Sequence, residues 1–195
     1  MSQPQTPENN NQADQRSHGR RARSAMSEIA RQQASEKIAA NVFRASWFAR
    51  AQLIACYLST NSEVDTSSII LRAWRMKKRI FAPVTRKNGR MHFQEVTPDT
   101  SLIRNRYGLF EPADGEIMES RRLHIVLAPL VAFDGQHNRI GMGGGYYDRS
   151  FAFLKNRTSL LQPKLIGLAF DCQRVEEIVA NPWDIRLYGI ITEST

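Results

Sequence analysis

Residues 139–148 read RIGMGGGYYD, and four of the chain's eleven glycines lie within five positions there: Gly141, Gly143, Gly144 and Gly145. Glycine loses more backbone entropy on ordering than any other residue and brings no side chain to pack, so a cluster this dense needs a reason. Backbone without Cβ atoms lets a ligand approach its N–H groups. A helix beginning at Tyr146 would add the positive end of its dipole, and the two together suit phosphate. The alternative is a tight connection with no ligand; Arg139 and Asp148, which flank the loop, favour a site. Two familiar phosphate-binding patterns are absent. Position 146, where the dinucleotide fingerprint carries a third glycine or an alanine, is Tyr146, and no Gly-Lys-Ser/Thr follows as a Walker A loop requires.

The candidate carboxylates each have two readings. Asp148, in the first turn of that helix, could complement the helix dipole. Beside a phosphate-binding loop, it could equally hold Mg²⁺, a hard ion that takes oxygen ligands. Asp184, in NPWDIRL, is either a second metal carboxylate or a turn residue. Glu63 and Asp65, in NSEVDT, follow the apolar run LIACYL, a candidate first strand. Asp65-Thr66 suits helix capping. Glu63 suits it less, which leaves its carboxylate free to accept hydrogen bonds from a ligand. No Ser/His/Asp or Cys/His arrangement suggests a nucleophile, and the four histidines are scattered.

Positioning these residues requires strands ending near them. Short apolar runs at 52–58, 79–84, 124–133, 164–170 and 189–192 read as strands, and 91–96 as an edge strand reached through a turn at Asn88-Gly89. Between them lie a helix at 67–78, with Ile69, Ile70, Ala73 and Trp74 on one face and Thr66 as cap, and another at about 146–155. The stretch 101–112 is ambiguous and suits a short helix leading into a Pro-terminated loop. Residues 1–15, rich in Asn, Gln and Pro without apolar periodicity, read as a disordered tail. Ile38, Val42 and Ala45 recur at helical spacing behind a Ser27 cap, so 16–50 forms one or two amphipathic helices. Nearly continuous apolar strands alternating with helices predict an α/β fold: one domain over 16–195, a mostly parallel sheet with helices on both faces, and a helical N-terminal extension.

The net charge is +8, half of it carried by residues 1–50. It favours a polyanionic partner, either nucleic acid or a phosphorylated, multiply carboxylated small molecule. The N-terminal arginines alternate with Ala and Gln and have few aromatic neighbours for base stacking, which argues against nucleic acid. The longest apolar run, 125–133, contains Pro129 and falls well short of the roughly 20 residues a membrane helix needs. Residues 1–15 show neither a secretory nor a transit pattern. Cys56 and Cys172 lack metal-ligand spacing, so the expectation is free thiols in a cytoplasmic protein.

Six stretches together carry a resemblance: YLSTNSEVDT (57–66), RIFAPV (79–84), NRYGLFEP (105–112), APLVAFDGQHNRIGMGGGYYDR (128–149), IGLAFDCQRVE (166–176) and WDIRL (183–187). The chain resembles the 5-formyltetrahydrofolate cyclo-ligases, also called 5,10-methenyltetrahydrofolate synthetases. The resemblance implies conversion of 5-formyltetrahydrofolate to the 5,10-methenyl form with ATP and Mg²⁺, releasing ADP and phosphate through a phosphorylated formyl group. It implies an ATP-binding segment of Arg139, Ile140, Gly141, Met142, Gly143, Gly144, Gly145, Tyr146 and Tyr147. Arg139, Tyr146 and Asp148 would be catalytic, and Asp148 and Asp184 the metal carboxylates. Leu58, Glu63, Tyr107 and the Met142–Tyr146 stretch would contact folate, Glu63 accepting from the pterin N–H groups. The protein would act as a monomer on small molecules, with no nucleic-acid or membrane partner. One departure stands out: the family's N-terminal K-x-x-x-R signature places Gln12 at the lysine and Arg16 at the arginine. Phosphate contacts there would fall to Arg16, Arg20 or Arg21. A folate- or nucleotide-binding protein without catalysis is the rival, but it predicts damage to the glycine loop or Asp148, and both are intact.

Overall fold

Strands that are apolar at consecutive positions need cover on both faces, and the central strands of this chain have it. The structure, a computed structural model, describes residues 7–60, 62–86, 88–156 and 162–195. Helices α1 (Pro7–Ala25), α2 (Glu28–Arg44) and α3 (Ser46–Arg50) precede β1 (Leu53–Cys56). Then follow α4 (Ser67–Arg75), β2 (Arg79–Thr85), β3 (Met91–Val96), β4 (Leu102–Arg104), β5 (Phe110–Pro112) and β6 (Ile117–Met118). The chain continues through β7 (Ile125–Pro129), β8 (Ala132–Phe133), β9 (Arg139–Ile140), α5 (Tyr146–Phe151), β10 (Lys164–Leu168) and β11 (Gly189–Ile191). The main sheet has the order β11-β10-β7-β1-β2-β3-β6. Its strands are parallel from β11 to β2, with β3 and β6 antiparallel at one end.

Ile54, Cys56, Ile125, Leu127 and Ile166 point to one face, where they meet Ile38 and Val42 of α2, Phe48 of α3 and Ile69 of α4. Ala55, Val126 and Leu165, one position along, point to the other and meet Phe151 of α5. This is the predicted α/β sheet with helices on both faces. Among the described residues no helix is long and apolar enough to cross a membrane. Cys56 is a buried free thiol and Cys172 an exposed one.

Local signals hold in part. Ser27 Oγ accepts from Ala30 N at 3.2 Å and starts α2, and Gly89, at φ 75°, closes the turn between β2 and β3. Thr66 does not cap α4 with its side chain. Its Oγ1 donates to Tyr57 O at 2.8 Å, and Asp65 Oδ1 takes the capping role by accepting from Ser67 N at 3.0 Å. β3 is not the edge, since the two-residue β6 lies outside it.

Two expectations are corrected. Residues 7–15 belong to α1 rather than to a disordered tail, while residues 1–6 lie outside the described residues. The cause is tertiary: Gln12 and Gln15 side-chain amides donate to Val179 O and Glu177 O, both at 2.7 Å, so the far end of the chain supports a segment with no apolar period of its own. The 101–112 stretch is a β4–β5 hairpin, not a helix. Asn105 organises its turn, its Oδ1 accepting from the N–H groups of Tyr107 and Leu109 while its amide donates to buried Glu111.

Candidate active site

In open α/β sheets ligands lie beyond the carboxyl ends of the parallel strands. In this protein α1 packs beside that edge, against the 3-10 turn Asp171–Gln173 that follows β10 and against β8 and β9. Gly19 makes the close approach possible, since a Cβ there would lie 2.3 Å from the carbonyl oxygen of Val131. Three residues earlier, Arg16 Nε donates to Gly141 O at 2.8 Å. One of the three arginines expected to compensate for the missing family lysine therefore reaches the glycine loop. Arg20 and Arg21 share a shallow basic groove with it on the same helix.

The loop joins β9 to α5. Gly143 and Gly145 take φ of 96° and 61°, a left-handed backbone that residues with side chains rarely adopt. Gly144 is not left-handed; there a side chain would meet the Tyr146 ring, 2.8 Å from the Cβ position. Two of the loop's carbonyls are pinned by cations. Arg16 holds Gly141 O, and Arg149 donates to Gly144 O while its Nε donates to Gly89 O at 2.8 Å, tying the loop to the β2–β3 turn. The N–H groups of Met142, Gly143, Gly144 and Gly145 engage no acceptor among the described residues. Carbonyls fixed and N–H groups free is the polarity an anion requires. Ile140, by contrast, is buried beneath the loop and pairs with Ala132.

Asp148 and Asp184 are brought together by one peptide. Asp148 Oδ1 accepts from Arg139 Nη2 at 2.8 Å and from Ile185 N at 3.1 Å, and Arg139 Nη1 donates to Ile185 O. Asp184, the preceding residue, accepts from Asn181 N through Oδ2 at 2.8 Å, so it is a turn residue as well. Each carboxylate keeps one oxygen that no described residue engages. Among the described residues no cluster of three or more His, Cys, Asp or Glu could hold a metal. Two half-engaged carboxylates make no closed metal cage, but they fit a hard cation that brings phosphate and water oxygens with it. The Arg139 side chain is only 5% exposed and is spent on Asp148 and Ile185. Both of its terminal nitrogens are thus engaged within the protein, on Asp148 and on Ile185.

On the hairpin side, Tyr107 and Tyr146 share a hydroxyl hydrogen bond of 2.8 Å with rings edge to face, and Arg106 Nη2 donates to Tyr146 OH at 3.1 Å. These two contacts hold the Tyr146 hydroxyl below its ordinary pKa, and the same bond raises that of Tyr107. Tyr147 turns inward, stacked on Phe151, where burial pushes its hydroxyl up.

Glu63 lies past the end of β1. Its Oε2 accepts from Thr60 N at 3.0 Å and its N–H donates to Thr60 O, so turn chemistry takes one oxygen, more than its sequence position suggests. No described residue engages Oε1. Leu58 packs on the adjoining core cluster, and buried Tyr57 donates from its hydroxyl to Val64 O at 3.0 Å. Arg149 and Arg106 escape sequence reasoning because an arginine's carbonyl or hydroxyl partner across the fold leaves no local pattern.

Comparisons over nearly the whole chain identify its relatives. A sequence model of the 5-formyltetrahydrofolate cyclo-ligase family matches residues 8–193. The chain is 33% identical over 179 residues to the 5-formyltetrahydrofolate cyclo-ligase of Escherichia coli, covering 90% of this chain and 96% of that one. Against the Haemophilus influenzae 5-formyltetrahydrofolate cyclo-ligase it is 31% identical over 176 residues, 88% and 92% of the two chains. The solved structure of 5,10-methenyltetrahydrofolate synthetase from Aquifex aeolicus superposes with a TM-score of 0.80 at 26% identity, covering 94% of this chain and 90% of that one. With the sheet, the loop and the match over nearly its whole length in agreement, the chain belongs to the 5-formyltetrahydrofolate cyclo-ligase family of enzymes.

Proposed function

We propose that this enzyme closes 5-formyltetrahydrofolate to 5,10-methenyltetrahydrofolate at the expense of ATP, releasing ADP and phosphate. The observation that carries the reading is a loop whose N–H groups are free among the described residues, followed at once by Asp148 on the Asp184–Ile185 peptide, together with the half-free Glu63 carboxylate past the end of β1. A phosphoryl donor and a folate can then meet at one sheet edge.

The chemistry needs little else. A formamide carbon is a weak electrophile and its oxygen a poor leaving group. Attack of the formyl oxygen on the γ-phosphorus forms an O–P bond as the bond to ADP breaks, and the product is an iminium phosphate. N10 then adds to that carbon and loses its proton, and the C–O bond breaks to release phosphate and leave the methenyl bridge. Such a transfer asks the protein for alignment and charge neutralisation. The N–H groups of 142–145 bind phosphoryl oxygens, and Arg16 steadies the loop through Nε, leaving its outer nitrogens for phosphate. Asp148 and Asp184 would hold Mg²⁺, which neutralises phosphate charge, through their free oxygens. Tyr146, braced by Tyr107 and Arg106, borders the formyl group, and Glu63 accepts from the pterin ring. Arg139 positions Asp148.

The test is the absorbance of the methenyl product on mixing protein, 5-formyltetrahydrofolate, ATP and Mg²⁺. Product should require all of them. Ligand binding without product would leave the family fold but overturn the catalytic reading.

A further inference from the structure

Arg23, on the last turn of α1, is the group that the site so far leaves unexplained. Its residue is 6% exposed, and its Nε has no hydrogen-bond partner. None of the ion pairs among the described residues includes it. A guanidinium carries five donors in a fixed fork and cannot shed its charge, so burying it unpaired is costly. Its electrostatic neighbours are Glu63, Tyr57, Arg20 and Cys172. Of these, Glu63 is the acid whose Oε1 is also unengaged, and Tyr57 is already committed to Val64. A buried guanidinium whose Nε has no acceptor, on a helix, and a carboxylate oxygen that no described residue engages, on the loop past β1, are thus electrostatic neighbours.

The complement to that pair is an edge that presents donors beside an acceptor. A 2-amino-4-oxopteridine has such an edge: the 2-amino group and N3–H donate, and the adjoining 4-oxo oxygen accepts. We propose that Arg23 is a specificity-determining residue that donates from its guanidinium to the 4-oxo oxygen of the pteridine whose N–H groups Glu63 accepts. The inference rests on the folate reading of the Glu63 side. It accounts for a buried guanidinium to which no described residue offers an acceptor, because the ligand supplies one. It also gives α1 a second duty besides carrying Arg16 to the glycine loop.

The inference makes a chemical discrimination that packing alone does not. A 4-amino-4-deoxy analogue of 5-formyltetrahydrofolate sets N–H against the guanidinium, and a site built around a hydrogen bond rejects an analogue that cannot make it. Calorimetric titration of the wild-type protein should show the 4-oxo compound binding about ten- to a hundredfold more tightly than the 4-amino one, the span of one charged hydrogen bond. Arg23→Met, with Arg23→Gln as a second variant, should lose about that factor for the 4-oxo compound, leave the 4-amino analogue and ATP nearly unchanged, and so erase the discrimination. The free variant should unfold at a temperature no lower than wild type, because the removed charge had no partner.

An arginine that only packs α1 on the sheet predicts the reverse: a lower unfolding temperature in both variants and equal effects on the two pteridines. That outcome, or a matching loss of ATP affinity, overturns the assignment. If Glu63→Gln weakens the folate and neither Arg23 variant does, the Arg23 inference alone falls. If wild-type protein fails to bind 5-formyltetrahydrofolate, the folate reading falls first and takes this inference with it.

Discussion

Replacing Gly19 by alanine sets two effects of opposite sign against each other. Gly19 lies in α1, and in an exposed helix interior glycine-to-alanine stabilises by about 1 kcal/mol. Here the new Cβ would lie 2.3 Å from Val131 O, well inside the 3.0 Å that real contacts respect. The obstacle is backbone, and Gln173 Nε2 also fixes it by donating to the same oxygen at 2.9 Å. Relief therefore requires the helix to lift by roughly 1 Å, and overpacking of this kind typically costs about 1–3 kcal/mol. With the propensity gain deducted, the expectation is a net loss of up to about 2 kcal/mol, or a fall of up to roughly 8 °C in unfolding temperature for a chain this long. The displacement also pulls Arg16, three residues earlier, away from Gly141 O, a hydrogen bond involving a charged donor and worth about 1.5–3 kcal/mol where it is fully formed. The KM for ATP should rise correspondingly, while folate affinity changes less. Differential scanning calorimetry and steady-state kinetics at saturating folate measure both. A variant that is more stable than wild type with unchanged ATP kinetics would refute the close approach of α1 to the loop after β7 and its role in holding the cradle.

Asp148→Asn should abolish most turnover and also destabilise the fold by up to about 3–5 kcal/mol, because it strands the nearly buried Arg139 guanidinium. Adding Arg139→Met should recover the unfolding temperature but not the activity, which separates the carboxylate's metal duty from its ion pair. Glu63→Gln should weaken folate binding about tenfold or more and leave ATP binding alone, since an amide places N–H against a pterin donor; separate titrations of the two ligands check it. Burial alone would raise the pKa of Asp134, but hydrogen bonds from the Asn138 side chain and from the N–H groups of Asn138, Ile178 and Gln136 more than offset this and lower it below its ordinary 3.8. A depressed carboxyl contributes its stability above the unfolded pKa and loses it as the pH falls through the folded value. The stability gap between wild type and Asp134→Asn should therefore be constant near neutrality and close only below pH 3.8, as followed by urea unfolding across pH.

The sheet was legible because strand signals are local. Ile54-Ala55-Cys56 and Ile125-Val126-Leu127 are apolar at every position, which demands cover on both faces, and Ser27 caps α2 within three residues of itself. The glycine loop was legible for the same reason, since four glycines in five positions are a backbone statement wherever they fall. What tertiary structure alone decided is which polar side chains remain available. Arg139 and Asp148 look equally ready for a ligand in the sequence, yet one is consumed by the other and by Ile185 on a loop 46 positions from Arg139. Residues 7–15 carry no helical apolar period and become helix through carbonyls more than 160 positions away. Arg16 and Arg23 belong to one basic run, yet one reaches the glycine loop 125 positions on and the other is buried with its Nε unpaired among the described residues. Periodicity reports the burial of a face, which neighbours on the same element determine. The partner of a single polar group depends on which distant backbone the packed elements bring within about 3 Å, and a short-range electrostatic contact of that kind leaves no trace in local composition.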